Sequence, residues 1–433
     1  MLEAIIKIGI LIGGLMTAAA YFVLLERRMA AWVQDRVGPN RVGIPLTNIR
    51  MFGLGQPLAD GLKFIFKEEY TPSHVDKRIY IVAPVAILAA ALTTFAVVPF
   101  GATIPPFAIG PIRSSQPLEL VVAPAVNVGV LVVFAFSSIA VYGVILGGWA
   151  SNNKYSFLGA LRSSAQLIAY ELPLSIGILG VILAAGSLDL QQIIHAQAAG
   201  TWYAVAQPLG FIVFSIAAFA EAARLPFDLP ECEQELVGGY HTEYAGLKLL
   251  LFLVAEFLHM ILASYLIVIL FLGGWHLPFM TGDPDAAITW PMAIVRMAAL
   301  NAKVFLVIVF FMLVRWSWPR FRFDQLMALA WKVMLPLGIV NFVAVAVMLE
   351  LRTLYGPGNS PSWEWDLGMA VVAWGVCIAA WVIVSVAGPI VADNRPRAYL
   401  DPLGVDTQIG DTVELGSGAR GHAGQRFGEA ARR

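Results

Sequence analysis

Charged residues are scarce in this sequence, which excludes several classes of protein at once. Only 13% of the 433 residues are Asp, Glu, Lys or Arg, about half of the share in an average soluble domain. The formal net charge is −1, so no basic excess is available to neutralise nucleic-acid phosphates. Cys232 and Cys377, which are the two cysteines, stand far apart and cannot provide a disulfide framework or a cysteine-ligated cluster. Glycine-rich phosphate loops are also absent, so a nucleotide-binding domain is not expected.

Long apolar runs dominate the sequence instead, and 59% of the residues are hydrophobic. A helix of about 20 apolar residues crosses the ~30 Å hydrocarbon layer of a membrane. The first run ends in Glu26-Arg27-Arg28 and lacks a small-residue cleavage site, so we expect a retained helix and not a cleaved signal peptide. The pattern predicts an all-α integral membrane protein with about nine transmembrane helices and long cytoplasmic loops. The runs are 5–25, 79–98, 121–146, 166–185, 203–221, 247–272, 292–314, 328–349 and 367–392.

Basic residues are distributed very unevenly among the connections between these runs. Loop one holds nine Lys and Arg residues, and loops three, five and seven hold eight more. The other four loops together hold only Arg113 and Arg352. Because basic loops stay on the cytoplasmic side, we predict an outer N-terminus and a cytoplasmic C-terminus. Residues 1–392 then form the membrane domain, and residues 393–433 form a polar cytoplasmic tail that we expect to be disordered.

One segment of loop one has the pattern of a surface helix. Between residues 56 and 68, Leu58, Leu62 and Ile65 recur at helical spacing, and the charged residues fall elsewhere on the helical wheel. This pattern predicts a short amphipathic helix on the cytoplasmic membrane surface. A helix that only anchors the loop is an equally good interpretation.

The loop after the fifth run holds six carboxylates and one cation between residues 221 and 243. Repulsion among so many acids favours the protonated form of some of them, above all in a buried loop. These groups are therefore candidates for loading and releasing protons, and Glu221 is close enough in sequence to pair with Arg224. A solvated acidic loop is the alternative, although interleaved apolar residues such as Phe227 argue for packing. The acids are Glu221, Asp228, Glu231, Glu233, Glu235 and Glu243.

Ionisable side chains also occur inside the apolar runs, where each costs about 2.5–3.5 kcal/mol. Glu171 and Glu256 are the acids, and Arg296 and Lys303 are the cations. Such groups usually face a polar interior and mark an ion or proton path. A structural ion pair between Glu256 and Lys303 is the alternative. His259, one turn beyond Glu256, either extends such a path or fills a helix contact.

Loop seven alternates arginine with aromatic residues. Arg315, Arg320 and Arg322 stand among Trp and Phe residues in this segment. Such a segment at a membrane interface suits the access path of an amphipathic ligand or the contact with a partner. Interfacial anchoring is the alternative, and it explains the aromatic residues better than the arginines.

Several motifs in these segments together resemble one family. The chain is similar to the H-type subunit of bacterial NADH-quinone oxidoreductase (respiratory complex I), the counterpart of mitochondrial NADH-ubiquinone oxidoreductase chain 1. The matches follow one order over about residues 1–349. The motifs are Glu26-Arg27-Arg28, QDRVGPNRVG at 34–43, QPLADGLK at 56–63, GWASNNKY at 148–155, Tyr170-Glu171, PFDLPE at 226–231, ELVGG at 235–239, HTEY at 241–244 and PRFRFDQLM at 319–327.

The resemblance implies a role that the residues alone do not. In the family this subunit joins the peripheral redox arm to the membrane arm, forms much of the quinone tunnel and begins a carboxylate-rich proton path. It takes quinone as substrate and holds no flavin, iron–sulfur cluster or metal of its own. The implied partners are the iron–sulfur subunits of the peripheral arm, the small and antiporter-like membrane subunits, quinone and membrane lipid, and no nucleic acid. The implied location is the bacterial inner membrane.

Residue-by-residue matching with the family carries two sets of residues over to this chain. The implied proton path uses Glu171, Glu221, Asp228, Glu231, Glu233, Glu235, Glu243 and Glu256. The implied quinone tunnel and arm junction use Arg27, Arg28, Arg36, Arg224, Arg320 and Arg322.

The chain departs from the family pattern at several places. Ala222 and Ala223 stand where the family has two polar residues between the Glu and the Arg. Residues 44–52 have the character of an insertion, and Ala125 stands where many relatives carry Asp. The ninth run and the tail occur in only part of the family.

Two alternative functions remain at this point. One is the homologous membrane subunit of a hydrogenase or of a ferredoxin-linked complex, against which the full set of quinone-side motifs argues. The other is an independent cation/proton secondary transporter. A transporter would favour internal repeats and broken helices at mid-membrane, and the sequence contains no visible repeat.

Reporter fusions at both ends of the chain test the predicted orientation. Because the basic residues are concentrated in the odd-numbered loops, we expect a periplasmic reporter to be active at the N-terminus and a cytoplasmic one at Arg433. Activity of both reporters on one side of the membrane would contradict an odd number of spans, and the ninth run would be the first to lose its assignment.

Overall fold

A computed structural model describes most of the chain. The described residues are 2–43, 52–109, 112–114, 117–124, 126–229, 237–278, 280–281, 289–356 and 363–386. Glu231, Glu233 and Glu235 of the predicted proton path lie outside them. So do Ala125, residues 44–51 of the predicted insertion and the predicted tail.

Helices make up nearly all of the described secondary structure. A 3₁₀ turn, Gly239–His241, precedes α9, and a π-helical segment, Leu329–Met334, joins α11 directly to α12. A small antiparallel hairpin of β1 (Phe107–Ile109) and β2 (Ile112–Ser114) lies in the second loop. The helices are α1 (Leu2–Val33), α2 (Gln56–Phe66), α3 (Lys77–Thr94), α4 (Gly129–Ala150), α5 (Lys154–Ala185), α6 (Leu190–Ala199), α7 (Tyr203–Ala206), α8 (Pro208–Glu221), α9 (Gly246–Phe271), α10 (Trp290–Ser317), α11 (Phe323–Ala328), α12 (Leu335–Tyr355) and α13 (Trp363–Val386).

Seven of the described helices are long and apolar enough to cross a membrane. They occupy predicted runs one to four and six to eight, with α11 and α12 joined as a single span. The fifth and ninth runs contain the shorter apolar helices Pro208–Glu221 and Leu367–Ile383. The all-α membrane fold is therefore confirmed, whereas the count of nine spans stays a prediction.

Helix α8 is short because Gln207 and Pro208 interrupt the fifth run. It has 14 residues and reaches about 21 Å. The residues of its first turn are buried. A backbone N–H buried in a membrane protein needs an acceptor. Asn341 of α12 provides one, with its side-chain oxygen 3.1 Å from the Gly210 nitrogen. The Gln207 amide donates in turn to the Gly180 carbonyl of α5 at 3.1 Å.

Two glycines make this polar contact between α5, α8 and α12 sterically feasible. A Cβ atom at Gly180 would lie 2.6 Å from the side-chain oxygen of Gln207. A Cβ atom at Gly210 would lie 2.7 Å from the side-chain nitrogen of Asn341. Small residues at such contacts let helix backbones approach closely, and here they leave room for two amide side chains.

Helix α9 forms the centre of the bundle. In its most apolar stretch 83% of the residues are buried, against 17–44% in the other six long helices. It packs against α1, α3, α8 and α10, and residues 260–271 are all buried. Its polar residues are therefore sheltered from lipid by the surrounding helices.

The predicted surface helix is α2, and its position agrees with the amphipathic pattern. None of its residues is buried, so the apolar side chains of Leu58, Leu62 and Ile65 are not covered by this chain. Arg27 at the end of α1 forms an ion pair with Asp60 of α2 at 2.7 Å. That pair holds α2 beside the loop end of α1, the end that the sequence predicts to be cytoplasmic.

Lys303 of α10 caps the C-terminus of α9 and does not pair with Glu256. Its amine donates to the carbonyls of Leu272, Gly274 and His276 at 2.6, 3.0 and 2.7 Å. Leu272 follows Glu256 by 16 positions in sequence, which corresponds to about 24 Å along the helix. The predicted alternative of a Glu256–Lys303 ion pair is therefore wrong, because a cation is stabilised by the carbonyls of a helix end.

The variant Lys303→Met tests this capping role. It keeps the length of the side chain but leaves three carbonyls without their donor, so we expect a loss of stability of about 2–4 kcal/mol. The thermal inactivation midpoint of the purified membrane complex should fall accordingly. Lys303→Arg should fall less, and Lys332→Met, at an exposed position, serves as the matched control. A midpoint for Lys303→Met equal to that of the control would contradict the assignment.

Candidate functional site

Three of the predicted acids line one partly enclosed cavity between the helices. Glu171 comes from α5, Glu221 from the end of α8 and Glu256 from the middle of α9. They are up to 85 residues apart in sequence, and only the packing of the bundle brings them together. The remaining lining residues are Ile87, Ser137, Ser138, Ala140, Val141, Val144, Leu167, Ala222, Ala223, Tyr240 and His259.

Two consecutive serines of α4 hold two of these carboxylates. The Ser137 hydroxyl donates to Glu221, and the Ser138 hydroxyl donates to Glu171. A hydroxyl group both donates and accepts hydrogen bonds, so each serine can relay a proton by accepting one bond while it donates another. The two serines thus attach Glu221 of α8 and Glu171 of α5 to consecutive positions of α4.

The third carboxylate is held from the loop side by Tyr240. Its phenol donates to Glu256 at 3.1 Å, and its backbone carbonyl accepts a bond of 2.7 Å from the Ser156 hydroxyl at the start of α5. His259 follows Glu256 by about one helical turn and lines the same cavity. The cavity thus combines three carboxylates with two serines, a phenol and an imidazole.

The cavity has room for water as well as for these side chains. Its volume is about 50 Å³, and one water molecule needs roughly 10–15 Å³. Three carboxylates in an apolar surrounding repel one another when all are ionised. The arrangement is therefore suited to sharing and exchanging protons among its members.

The described part of the acidic loop folds into the protein. Phe227 and Leu229 are buried, and Asp228 is half-buried. The buried Gln166 amide of α5 donates to the carbonyls of Ala220 at 2.8 Å and Phe227 at 2.7 Å. The alternative of a solvated loop is therefore wrong for residues 221–229, because apolar contacts and a buried amide fix this segment against α5.

Arg224, the cation of this loop, forms an ion pair with Glu26 of α1. The two charged atoms are 3.5 Å apart, and Arg315 of α10 pairs with the same carboxylate. The Arg224 guanidinium also lies over the Phe257 ring, 4.2 Å from its centroid. This cluster, which we name the Glu26 charge cluster, links α1, the acidic loop and α10.

Loop seven packs on the acidic loop through aromatic side chains. The Phe321 ring stacks on Phe227 with centroids 5.5 Å apart, and its backbone nitrogen donates to the Pro226 carbonyl at 3.2 Å. Tyr170, beside Glu171 in α5, lies 5.5 Å from the Phe227 ring and donates to the Leu326 carbonyl at 2.9 Å. Phe227 of the acidic loop thus lies between Phe321 of loop seven and Tyr170 of α5.

The predicted arginines lie at the end of the bundle that carries the acidic loop and loop seven, and their surroundings differ. Arg224 is buried, Arg28 and Arg320 are half-buried, and Arg27, Arg36 and Arg322 are exposed. The Arg36 guanidinium donates to Gln34 at 2.8 Å. The described structure therefore brings the acids together more tightly than it brings the arginines together.

Glu243 lies apart from the three acids of the cavity. It lines an open groove of about 1080 Å³ together with His74, Asp76 and Asn153. The Asn153 amide donates to its carboxylate at 2.6 Å. Of the predicted acids that the structure describes, Glu243 is thus in a separate polar compartment.

Several residues of the site were not among the predicted ones. Ser137 and Ser138 stand in an apolar run, and their adjacency is the only signal that the sequence offers. Tyr240 and Gln166 carry no signal by spacing. Glu26 belongs to the Glu26-Arg27-Arg28 motif, but its burial beside Arg224 and Arg315 is shown only by the structure. Among the described residues, no group of three or more His, Cys, Asp or Glu residues is arranged to hold a metal ion.

Comparison with known proteins gives a consistent result over most of the chain. Residues 6–346 match the family model described as NADH dehydrogenase. The chain is 44% identical to the H-type subunit 1 of NADH-quinone oxidoreductase of Geobacter metallireducens, covering 80% of this chain and 96% of that protein. It is 43% identical to the H-type subunit 1 of Cytophaga hutchinsonii, covering 77% and 92%. It is 40% identical to NADH-quinone oxidoreductase subunit 8 of Rhodothermus marinus, covering 79% and 96%.

The matched residues include the three acids of the cavity, the acidic loop and loop seven. They end within α12, so α13 lies beyond the family match. The identity and its extent confirm the resemblance that the motifs indicate. The chain belongs to the family of H-type subunits of NADH-quinone oxidoreductase and is a membrane subunit of that enzyme complex.

Proposed function

We propose that this chain forms part of the quinone tunnel of its complex and begins the path that couples quinone reduction to proton translocation. The observation that carries the proposal is the partly enclosed cavity that Glu171, Glu221 and Glu256 line together. Carboxylates sheltered inside an apolar bundle are costly and typically mark a proton path. Hydroxyl groups beside each of them supply the donors and acceptors that such a path needs.

The proton-path residues act in two groups in this proposal. Glu221 and Glu171 exchange protons through Ser137, Ser138 and water, and Glu256 receives them with Tyr240 and His259 nearby. Asp228 and Glu243, with Glu231, Glu233 and Glu235 of the same loop, supply protons toward the cavity. Glu221 is the link between the groups because it ends α8 and begins the acidic loop.

The quinone side of the proposal uses the arginines at the loop end of the bundle. Arg27, Arg28, Arg36, Arg224, Arg320 and Arg322 line the tunnel or contact the peripheral arm. Electrons reach quinone from an iron–sulfur cluster in a partner subunit, and this chain shelters the quinone. Partners of this chain are then the iron–sulfur subunits of the peripheral arm and the small and antiporter-like membrane subunits.

In this proposal, quinone reduction is coupled to proton transfer through the few residues that separate the arginines of the quinone tunnel from Glu221. Arg224 of the Glu26 charge cluster is three residues from Glu221, and Ala222 and Ala223 between them line the cavity. A change of charge at the quinone shifts the arginines, and the acidic loop transmits the shift to Glu221. An arginine held by one buried carboxylate together with a second cation is sensitive to such a change.

The complex in this proposal lies in the bacterial inner membrane, with the N-terminus periplasmic and the C-terminus cytoplasmic. The names of the relatives support the NADH-quinone interpretation over a hydrogenase subunit, a ferredoxin-linked subunit or an independent transporter.

The variant Glu221→Gln tests the proton path. It keeps the size and hydrogen bonding of the side chain but cannot bind and release a proton. We expect an assembled complex whose quinone reductase activity and proton pumping fall about tenfold or more, as when a proton-transferring group is lost. Glu221→Asp should be milder because it still titrates. NADH oxidation and dye-detected acidification of inverted membrane vesicles measure the two activities.

The exposed Glu350→Gln in α12 is the matched control for this test and should behave as the unmodified complex. If Glu221 has only a structural role, Glu221→Gln should lower the amount of assembled complex and leave the activity per complex unchanged. Normal activity and proton yield in a fully assembled Glu221→Gln complex would refute the coupling role.

The variant Arg320→Ala tests the quinone side. Arg320 is half-buried beside Phe321, which stacks on the acidic loop, so its loss should weaken quinone binding without removing the cavity. We expect a raised KM for a soluble quinone and lower sensitivity to quinone-site inhibitors. Arg78→Ala, exposed at the start of α3, is the control. Unchanged KM and inhibitor sensitivity in the assembled variant would make Arg320 a structural residue or a partner contact.

A further inference from the structure

Four aromatic rings form a continuous column between the groove at Glu243 and the cavity at Glu256. Tyr240 meets Phe252 edge-on with centroids 5.1 Å apart, and Phe252 meets Tyr244 edge-on at 4.9 Å. Tyr244 stacks on Tyr80 at 4.1 Å. Phe252 is the one ring of the four that has no polar atom.

The two ends of this column touch different polar compartments. At one end the Tyr240 phenol donates to Glu256 and lines the carboxylate cavity. At the other end the Tyr80 phenol donates to the backbone carbonyl of Glu243 at 2.7 Å, and the Glu243 side chain lines the open groove. Phe252 lies between these ends and is only 1% exposed.

The spacing along α9 gives the same order. Phe252, Glu256 and His259 follow one another at helical intervals of four and three, so they share one face of the helix. Phe252 is one turn nearer than Glu256 to the start of the helix at Gly246, and Glu243 lies just before that start. On this face of the helix, Phe252 therefore lies between the end near Glu243 and Glu256.

The centre of the column is closely packed, and both Phe252 and Tyr244 are buried there. The Tyr244 hydroxyl is buried and has no hydrogen-bond partner among the described residues. Burial raises the pKa of Tyr244, so the phenol keeps its proton and does not act as a charged relay. The backbone of α4 closes one side of the ring, since a Cβ atom at Gly147 would lie 3.1 Å from the tip of Phe252.

We propose that the Phe252 side chain is a hydrophobic seal that separates the carboxylate cavity from the groove at Glu243. An apolar constriction blocks water and ions by remaining dry. The seal keeps protons that have reached Glu256 from returning to the groove, and it opens only when the column rearranges. This proposal rests on the proposed function, because a seal matters only if protons are held in the cavity.

The test compares protons moved per electron transferred in Phe252 variants. The complex containing this chain is assayed in inverted membrane vesicles with NADH and a soluble quinone, and proton uptake and NADH oxidation are recorded together. We expect Phe252→Ala to keep its rate of quinone reduction while the proton-to-electron ratio falls to about half or less, because the opened column lets protons return. Phe252→Leu should fall less, since it leaves more of the space filled.

Phe271→Ala is the matched control. Phe271 is a fully buried phenylalanine of the same helix that contacts Phe211 and Phe214, so the volume lost is the same but no polar compartment is joined. Its proton-to-electron ratio should equal that of the unmodified complex. If Phe252→Ala fails to assemble, Phe252→Leu is judged by the same ratio.

A ratio unchanged in both Phe252 variants overturns the seal, as does a parallel loss of quinone reduction and pumping at constant ratio. A failure of the proposed function is recognised separately. In that case Glu221→Gln and Glu256→Gln keep normal rates and proton yields, whatever the Phe252 variants do. If the ratio falls in Phe252→Ala, the double variant Phe252→Ala with Glu256→Gln is measured as well. We expect this double variant to pump no protons through the cavity. Residual pumping equal to that of Phe252→Ala alone overturns the placement of the seal before Glu256.

Discussion

A carboxylate buried in an apolar bundle must have hydrogen-bond donors, and this requirement governs the core of the protein. Glu221, Glu171 and Glu256 each receive a bond from a hydroxyl group on another element: two serines of α4 and the tyrosine of the 3₁₀ turn. The same bonds fix α4, α5, α8 and α9 relative to one another. The site and the fold are therefore one packing arrangement, and the acids help to hold the bundle that shelters them.

The end of the bundle that carries the acidic loop is organised by a further carboxylate, the buried Glu26. It binds Arg224 and Arg315, so α1 and α10 are connected to the loop that begins at Glu221. A buried pair adds little net stability when intact, but the loss of one partner is costly. Displacement of either arginine by a ligand or partner subunit would therefore be felt along the acidic loop. The charge cluster therefore connects α1 and α10 to the loop that leads to the cavity.

The helices themselves could be predicted from the sequence, because apolar runs of about 20 residues have few other structural solutions. The acids inside the runs, Glu171 and Glu256, could be singled out from the sequence because ionisable residues are rare there. Which of them meet could not be predicted: Glu243 and Glu256 share a chain segment but lie in different compartments. Lys303 was predicted as a partner for Glu256 in one alternative, yet it caps a helix end, and helix-end carbonyls leave no mark in the sequence. The break at Gln207 also depended on partners from α5 and α12.

The buried contact of Gln207, Asn341, Gly180 and Gly210 has a consequence for how this sequence can change over generations. Each amide fills space that exists only because a glycine faces it, and each glycine lacks room for a side chain because an amide is there. A side chain at either glycine would clash with an amide, and loss of the Asn341 amide would leave the Gly210 N–H without its acceptor. These positions, up to 161 residues apart, are therefore sterically coupled: a larger residue at either glycine requires a smaller one at the amide that faces it.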